Sequence, residues 1–277
     1  MGRQVLLQIL KCALLLSVTG TLLSCGGNVY EAMSDKTTHE AIVEDVKKLT
    51  NAQKFSEAVG IIEANPSLIP SRDEKMTFAS AYAGDCGLTF AGVFDSLASA
   101  SGSPMQFAMS AFKTTLINPS QCYKAQLILE SIGAAGLRTT NENIALFLIG
   151  FAKVGAYLRN RADSDPITHL GDGTLDAGYD SCLDTKLPKA EVKQVMSGFG
   201  LMIENIAAIG AYLSGGMAGN ITSIGAACTA LGMTCNATDP TAISDGDATT
   251  FRNAIKSDNV SGLGIESCPM ASLPTCC

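Results

Sequence analysis

Beyond residue 36 the apolar positions recur at intervals of three and four, the helical period, and no stretch sustains the apolar–polar alternation of a strand. Ile42, Val46 and Leu49 mark a first helix over 37–49. In "NAQKFSEAVGIIEANPS", Phe55, Ala58, Val59 and Ile62 fall on one face. Asn65-Pro66 then stops that helix, because proline removes an amide donor and restricts the residue before it. "SRDEKMTFASAYAGDCGL" opens with Ser71 and Glu74 at capping-box spacing. It predicts a helix to Gly84, a break near Gly87 and a further helical segment reaching 94–97, before the loop "ASASGSP". A helix bounded by Pro104 and Pro119 follows, with Phe107, Ala111 and Leu116 on its buried face. "SQCYKAQLILESIGAAG" predicts another, ended by Gly133 or Gly136. Two longer helices are predicted over 141–161 and 189–214, then a small-residue helix over 215–233 and a short one near 248–256.

The pattern therefore predicts an all-α fold, an irregular bundle or array of about ten helices. The two long helices carry Lys153 and Glu204 inside apolar runs. A charge at a bilayer centre costs a few kcal/mol, so they read as central helices of a soluble bundle rather than membrane spans. Glu204 then reads as a partly exposed or paired residue.

The first 24 residues follow different rules. Arg3 and Lys11 precede an apolar stretch over 12–23 that is interrupted by Gly20. This is a basic region followed by a hydrophobic region of secretory-signal size, too short and broken to span a bilayer. Its end, Leu22-Leu23-Ser24-Cys25, resembles the bacterial lipobox: an aliphatic residue, a tolerant position, a small residue, then Cys. The resemblance implies cleavage before Cys25 and acylation of Cys25, a palmitate-bearing anchor. Several acyl chains, at ~0.8 kcal/mol per buried methylene, hold stably in a membrane. In the enterobacterial members of this family Asp after the Cys favours inner-membrane retention; Gly26 stands there instead, which implies the outer membrane. The organisation expected is a signal peptide over 1–24, a lipidated tether over 25–36, and a single helical domain over 37–277 with room for a sub-division near 136–141.

Two further resemblances concern the helices. The run "KFSEAVGIIEANPS" resembles the second helix of a tetratricopeptide-type hairpin with its closing Asn-Pro, although no period of about 34 residues continues it. A lipobox followed by degenerate helical hairpins is similar in outline to the T component of tripartite ATP-independent transporters, an analogy at fold level.

Composition narrows the functional classes. Charged residues are only 16% of the chain, below the usual ~25%, and apolar residues are 47%, so a large core can be buried. Trp is absent and aromatics are 6%, which suits closely packed helices better than a sandwich of sheets. The net charge is −7, and without Arg3 and Lys11 the remainder is two charges more acidic still. With no basic cluster to track phosphates, no nucleic-acid partner is expected.

Removing Cys12 with the signal and Cys25 to lipid leaves Cys86, Cys122, Cys182, Cys228, Cys235, Cys268, Cys276 and Cys277. An even number in an exported chain predicts disulfides, although on the order of a hundred connectivities are open. Cys228 and Cys235 make a plausible local pair, and one of Cys276 and Cys277 is expected to reach back and pin the tail. No CxxC occurs and His39 and His169 are far apart, so a zinc centre is not expected.

The candidate chemistry is sparse. "RADSDPITHLGDGTLDAGYDSC" gathers Asp163, Asp165, Asp172, Asp176 and Asp180 between the long helices. Carboxylates on a Gly-rich loop suit a hard cation such as calcium. "GDGTLD" resembles the second half of an EF-hand-type loop, but Thr168 and Leu170 stand where its first acids belong and Tyr179 where its bidentate Glu belongs. The alternative is a solvated loop in which Asp and Gly serve turns. No G-x-S-x-G occurs, since "ITSIG" around Ser223 lacks the first Gly, and His169 in the loop reads as a surface residue. No phosphate loop occurs either, and the glycines of "GFGLMI" read as close-packing positions rather than a dinucleotide fingerprint. The expectation is therefore a non-enzymatic, lipid-anchored scaffold or binding module of the bacterial envelope, with a protein partner and no cofactor unless calcium. Its alternatives are a solute-binding accessory of a transport system and a calcium-stabilised envelope protein.

Overall fold

The computed structural model describes residues 37–89, 93, 103–209, 228, 229, 232, 233, 235–258, 263–269 and 275–277. The signal, lipobox and tether, the segment reaching 94–97, the end of the helix predicted to 214 and most of the small-residue helix over 215–233 lie outside the described residues. The chain divides into two units, Met1–Ile42 and Val43–Cys277. Of the first, residues 37–42 are described; they open helix α1 (His39–Asn51).

The second unit continues α1 and holds α2 (Phe55–Ala64), α3 (Arg72–Asp85), α4 (Pro104–Ala111), α5 (Pro119–Glu130), α6 (Thr140–Ala162), α7 (Lys189–Ile209) and α8 (Asp245–Lys256). The described residues thus contain eight α-helices against about ten predicted from the 3.6-residue period. They contain no strand, only two isolated bridges, Ser257 with Cys268 and Asp258 with Glu266. No helix among them is long and apolar enough to cross a membrane.

Local signals place the helix ends. Asn65 closes α2, its amide donating to the Ile62 carbonyl at 3.1 Å and its side chain to the Ile61 carbonyl at 2.8 Å, before Pro66. Ser71 and Glu74 form the capping box of α3, with Ser71 N donating to Glu74 Oε2 at 2.7 Å. Gly87 takes φ +111° just past its end, a region open to glycine and costly for other residues. Thr139 and Glu142 form a second capping box at the start of α6, so the 136–141 stretch is a helix entry within the second unit.

α4 is shorter than predicted and ends at Ala111. The reason is tertiary. The Lys113 carbonyl, which a longer helix would use internally, accepts from the Gly171 amide at 2.6 Å. Phe112 turns in against Gly155 and the Phe151 ring, with centroids 6.1 Å apart. Leu116, predicted buried, is consequently 69% exposed.

The helices share one apolar core. The most extensive contact joins α6 and α7; α4 and α5 pack on α6, α3 packs on α5, α2 on α3, and α8 on α7. α6 and α7 meet at Gly150 and Gly198. A Cβ on Gly150 would lie 2.6 Å from the Gly198 carbonyl oxygen, and one on Gly198 2.7 Å from the Gly150 oxygen. The glycine in "GFGLMI" is thus a close-packing position. Arg72 grips buried Glu142 with two hydrogen bonds, of 2.9 and 2.8 Å, and ties α3 to the start of α6. The Arg72 fork, with the Thr139 amide behind it, lowers the Glu142 carboxyl to about 2.

All eight remaining cysteines are paired: Cys86–Cys122, Cys182–Cys277, Cys228–Cys235 and Cys268–Cys276. Their Cα separations of 5.2 to 5.9 Å are those of ordinary disulfides. The local pair at 228 and 235 forms as the spacing suggested. Cys277 reaches back to Cys182 while Cys276 pairs locally, so the tail is fastened twice.

Candidate functional site

The acidic loop between α6 and α7 uses its carboxylates to close itself. Asp163, the last cap of α6, is buried and accepts from the Asp172 and Gly173 amides at 2.8 and 2.9 Å. Its burial pushes its carboxyl up despite those bonds. Asp165 accepts from the Ile167 and Thr168 amides, Asp172 from the Thr174 amide and hydroxyl, and Asp176 from the Ser164 amide. Asp180 takes the Cys182 amide at 3.0 Å and the Lys256 ammonium at 2.6 Å, and the lysine lowers its carboxyl. Among the described residues no group of three His, Cys, Asp or Glu side chains is placed to hold a metal ion. The five carboxylates are engaged in the turn and cap chemistry that Asp favours. His169 is exposed at φ +56°, and its carbonyl accepts from buried Arg159. Glu204 is paired, accepting from Arg138 at 3.0 Å.

A second polar centre lies in the core where α5, α6 and α7 meet the segment around Thr238. Lys153 is 0% exposed, and its ammonium donates to Gln126 Oε1 and Ser197 Oγ, both at 2.6 Å. Gln126 Nε2 and Ser197 Oγ in turn donate to the Thr238 carbonyl. Burial lowers the Lys153 amine to about 7, and Glu130 and Asp239 oppose the shift. A near-neutral lysine beside a serine has the composition of a nucleophilic pair. Ser197 is itself 0% exposed and commits its proton to Thr238, so the arrangement binds helices together rather than meeting a substrate. The sequence marked Lys153 as a charge in an apolar run; its partners come from other elements and leave no local trace.

The shift predicts a pH dependence. Between about 7 and the ordinary 10.5, the unfolded chain holds a proton on Lys153 that the folded chain has released. Stability attributable to this group therefore rises with pH across that window; it is lost as pH falls from about 10.5 towards 7 and is flat below 7. Urea unfolding from pH 6 to 9 is expected to show the native protein gaining on Lys153→Met by up to about 1 kcal/mol per pH unit above 7. Parallel profiles would show that Lys153 keeps its proton in the fold.

The accessible chemistry sits elsewhere, at the end of α3 and the start of α5. Asp85 accepts from Ser56 on one carboxylate oxygen and from Asn118 Nδ2, at 3.3 Å, on the other. Asn118 Oδ1 takes the Ser120 hydroxyl at 2.9 Å. These residues border two adjoining clefts that share Asn118. The larger, of about 640 Å³, is lined by Phe55, Ser56, Asp85, Thr89, Thr114 and Thr115 among others. The smaller, of about 330 Å³, is lined by Asn118, Ser120, Tyr157, Asn160, Glu191 and Gln194 among others. Both volumes lie in the range of small-molecule sites.

The fold supports these walls from below. The Cys86–Cys122 bridge joins the residue after Asp85 to the first turns of α5, and Gly84 leaves room for the Phe55 ring, which a Cβ there would meet at 2.2 Å. No motif in the sequence marks this site. Its residues come from short stretches around 53–56, 85–89, 114–120 and 157–194, and only the Asn118-Pro119 helix start is visible locally. No protein-family model, curated protein or solved structure matches the chain.

Proposed function

We propose that the chain is an exported, lipid-anchored protein of the bacterial envelope, acting as a non-enzymatic helical binding or scaffold module. The observation that carries the reading is the complete pairing of the eight cysteines that remain once Cys12 and Cys25 are assigned to the signal and the lipid. Such bridges form and persist in oxidising compartments. The lipobox at 22–25 supplies the address, and Gly26 favours the outer membrane. The reading of α1 and α2 as one degenerate helical hairpin rests on the run at 54–67, and the packing of α2 on α3 is compatible with an array that continues from it. A solute-binding accessory of the T-component kind needs an enclosed apolar pocket between the long helices, and the closure of Gly150 on Gly198 offers none at that seam.

Metabolic labelling with a palmitate analogue tests the anchor. The native protein is expected to take up label and fractionate with membranes, and Cys25→Ala to do neither. Equal labelling of the two would remove the anchor from the account.

A further inference from the structure

We infer that the twin cleft around Asn118 is a binding groove for a neutral polyhydroxylated chain, an oligosaccharide or polysaccharide; this rests on the reading of the protein as a binding module and names what it binds. The lining is hydroxyl- and amide-rich: Ser56, Thr89, Thr114 and Thr115 in one cleft, Ser120, Asn160 and Gln194 in the other, with Asn118 in both. No lysine or arginine lines either cleft among the described residues; Asp85 lines the larger one, and Glu191 lines the smaller one in an ion pair with Arg161. With the chain at −7 and Asp85 in the wall, phosphate, sulfate or uronate groups would be disfavoured in the larger cleft. A charge-neutral ligand with many hydroxyls fits that donor and acceptor set.

Several of these groups also lack protein partners. The hydroxyls of Thr89, Thr114 and Thr115 make no hydrogen bond among the described residues, and Gln194 Oε1 is buried without a donor. Asp85, held by Ser56 and Asn118, is fixed in orientation and keeps lone pairs for vicinal hydroxyls. Phe55, partly exposed in the larger cleft, provides apolar surface for the C–H face of a sugar ring. Two adjoining compartments joined at one residue suit successive units of a chain better than a single compact molecule.

The test is affinity electrophoresis of the full-length protein, purified in detergent, through gels containing soluble starch, dextran, mannan, xylan or mixed-linkage β-glucan, with alginate and heparin as anionic counterparts. At least one neutral polymer is expected to retard the protein, and the anionic ones are not. Asn118→Ala is expected to weaken retention about tenfold, the scale of one lost hydrogen-bonding side chain. Thr115→Val, which removes an unpartnered hydroxyl at nearly constant volume, should weaken it several-fold without moving the thermal midpoint. Failure of all five neutral polymers, retention by the anionic ones in their place, or retention unchanged in both variants would overturn the inference. Because palmitate labelling reads the anchor separately, labelled protein that ignores every polymer sinks the groove alone, and retained but unlabelled protein sinks the anchor alone.

Discussion

Replacing Cys86 and Cys122 together by alanine is expected to lower the unfolding free energy by about 3–4 kcal/mol, a large part of the ~5–15 kcal/mol that holds a typical domain folded. The bridge spans 36 residues, and closing a loop of that length removes substantial entropy from the unfolded chain. Both cysteines are fully buried, so alanine is the informative replacement; serine would add the cost of a buried hydroxyl. The bridge also joins the two walls of the cleft at Asp85 and Asn118. The double variant should therefore lose retention by neutral polysaccharide at temperatures where it is still folded. Urea unfolding of the two proteins, read by circular dichroism, gives the number. A loss under 1 kcal/mol would mean that α3 and α5 are fastened without the bridge.

Gly198→Ala should destabilise the fold by about 1–3 kcal/mol, against the direction of intrinsic helix propensity. In an isolated helix the same change would gain about 1 kcal/mol, because glycine loses more backbone freedom. Here the added methyl would sit 2.7 Å from the Gly150 carbonyl oxygen and 2.9 Å from Val154 Cγ2. A backbone oxygen cannot swing aside, so α6 and α7 must separate along the broadest contact in the fold. Gly136 is the internal control, since a Cβ there meets nothing within 4 Å. Gly136→Ala should be neutral or slightly stabilising. If both variants behave alike in thermal melts, the seam is looser than described.

The helices were legible where the determinants are local. Ser71 and Glu74 are three residues apart and cap each other, Asn65 is followed by Pro66, and Cys228 finds Cys235 seven residues on. Other features required partners far along the chain. Leu116 lies on an apolar-looking face, but Gly171 captures the Lys113 carbonyl from fifty-odd residues away and ends the helix first. Lys153 looks like a lone charge until Gln126, Ser197 and Thr238 are brought around it. For the five aspartates, composition records which groups the loop holds, and only the fold shows which amides they face. The cleft was the least visible feature. Hydroxyl and amide side chains are common on any surface, and only the packing of α2, α3, α5, the end of α6 and the start of α7 places these ones side by side.

The central claim is that the mature protein begins at a lipid-bearing Cys25 and carries four closed disulfides. Intact mass measurement of the protein extracted from membranes, without reduction and after thiol alkylation, tests it in one spectrum. The account predicts a chain lacking residues 1–24, heavier by a diacylglycerol and an acyl group, with no alkylated cysteine. A chain that retains Met1–Ser24, bears no lipid and takes up alkylating agent at its cysteines would contradict it.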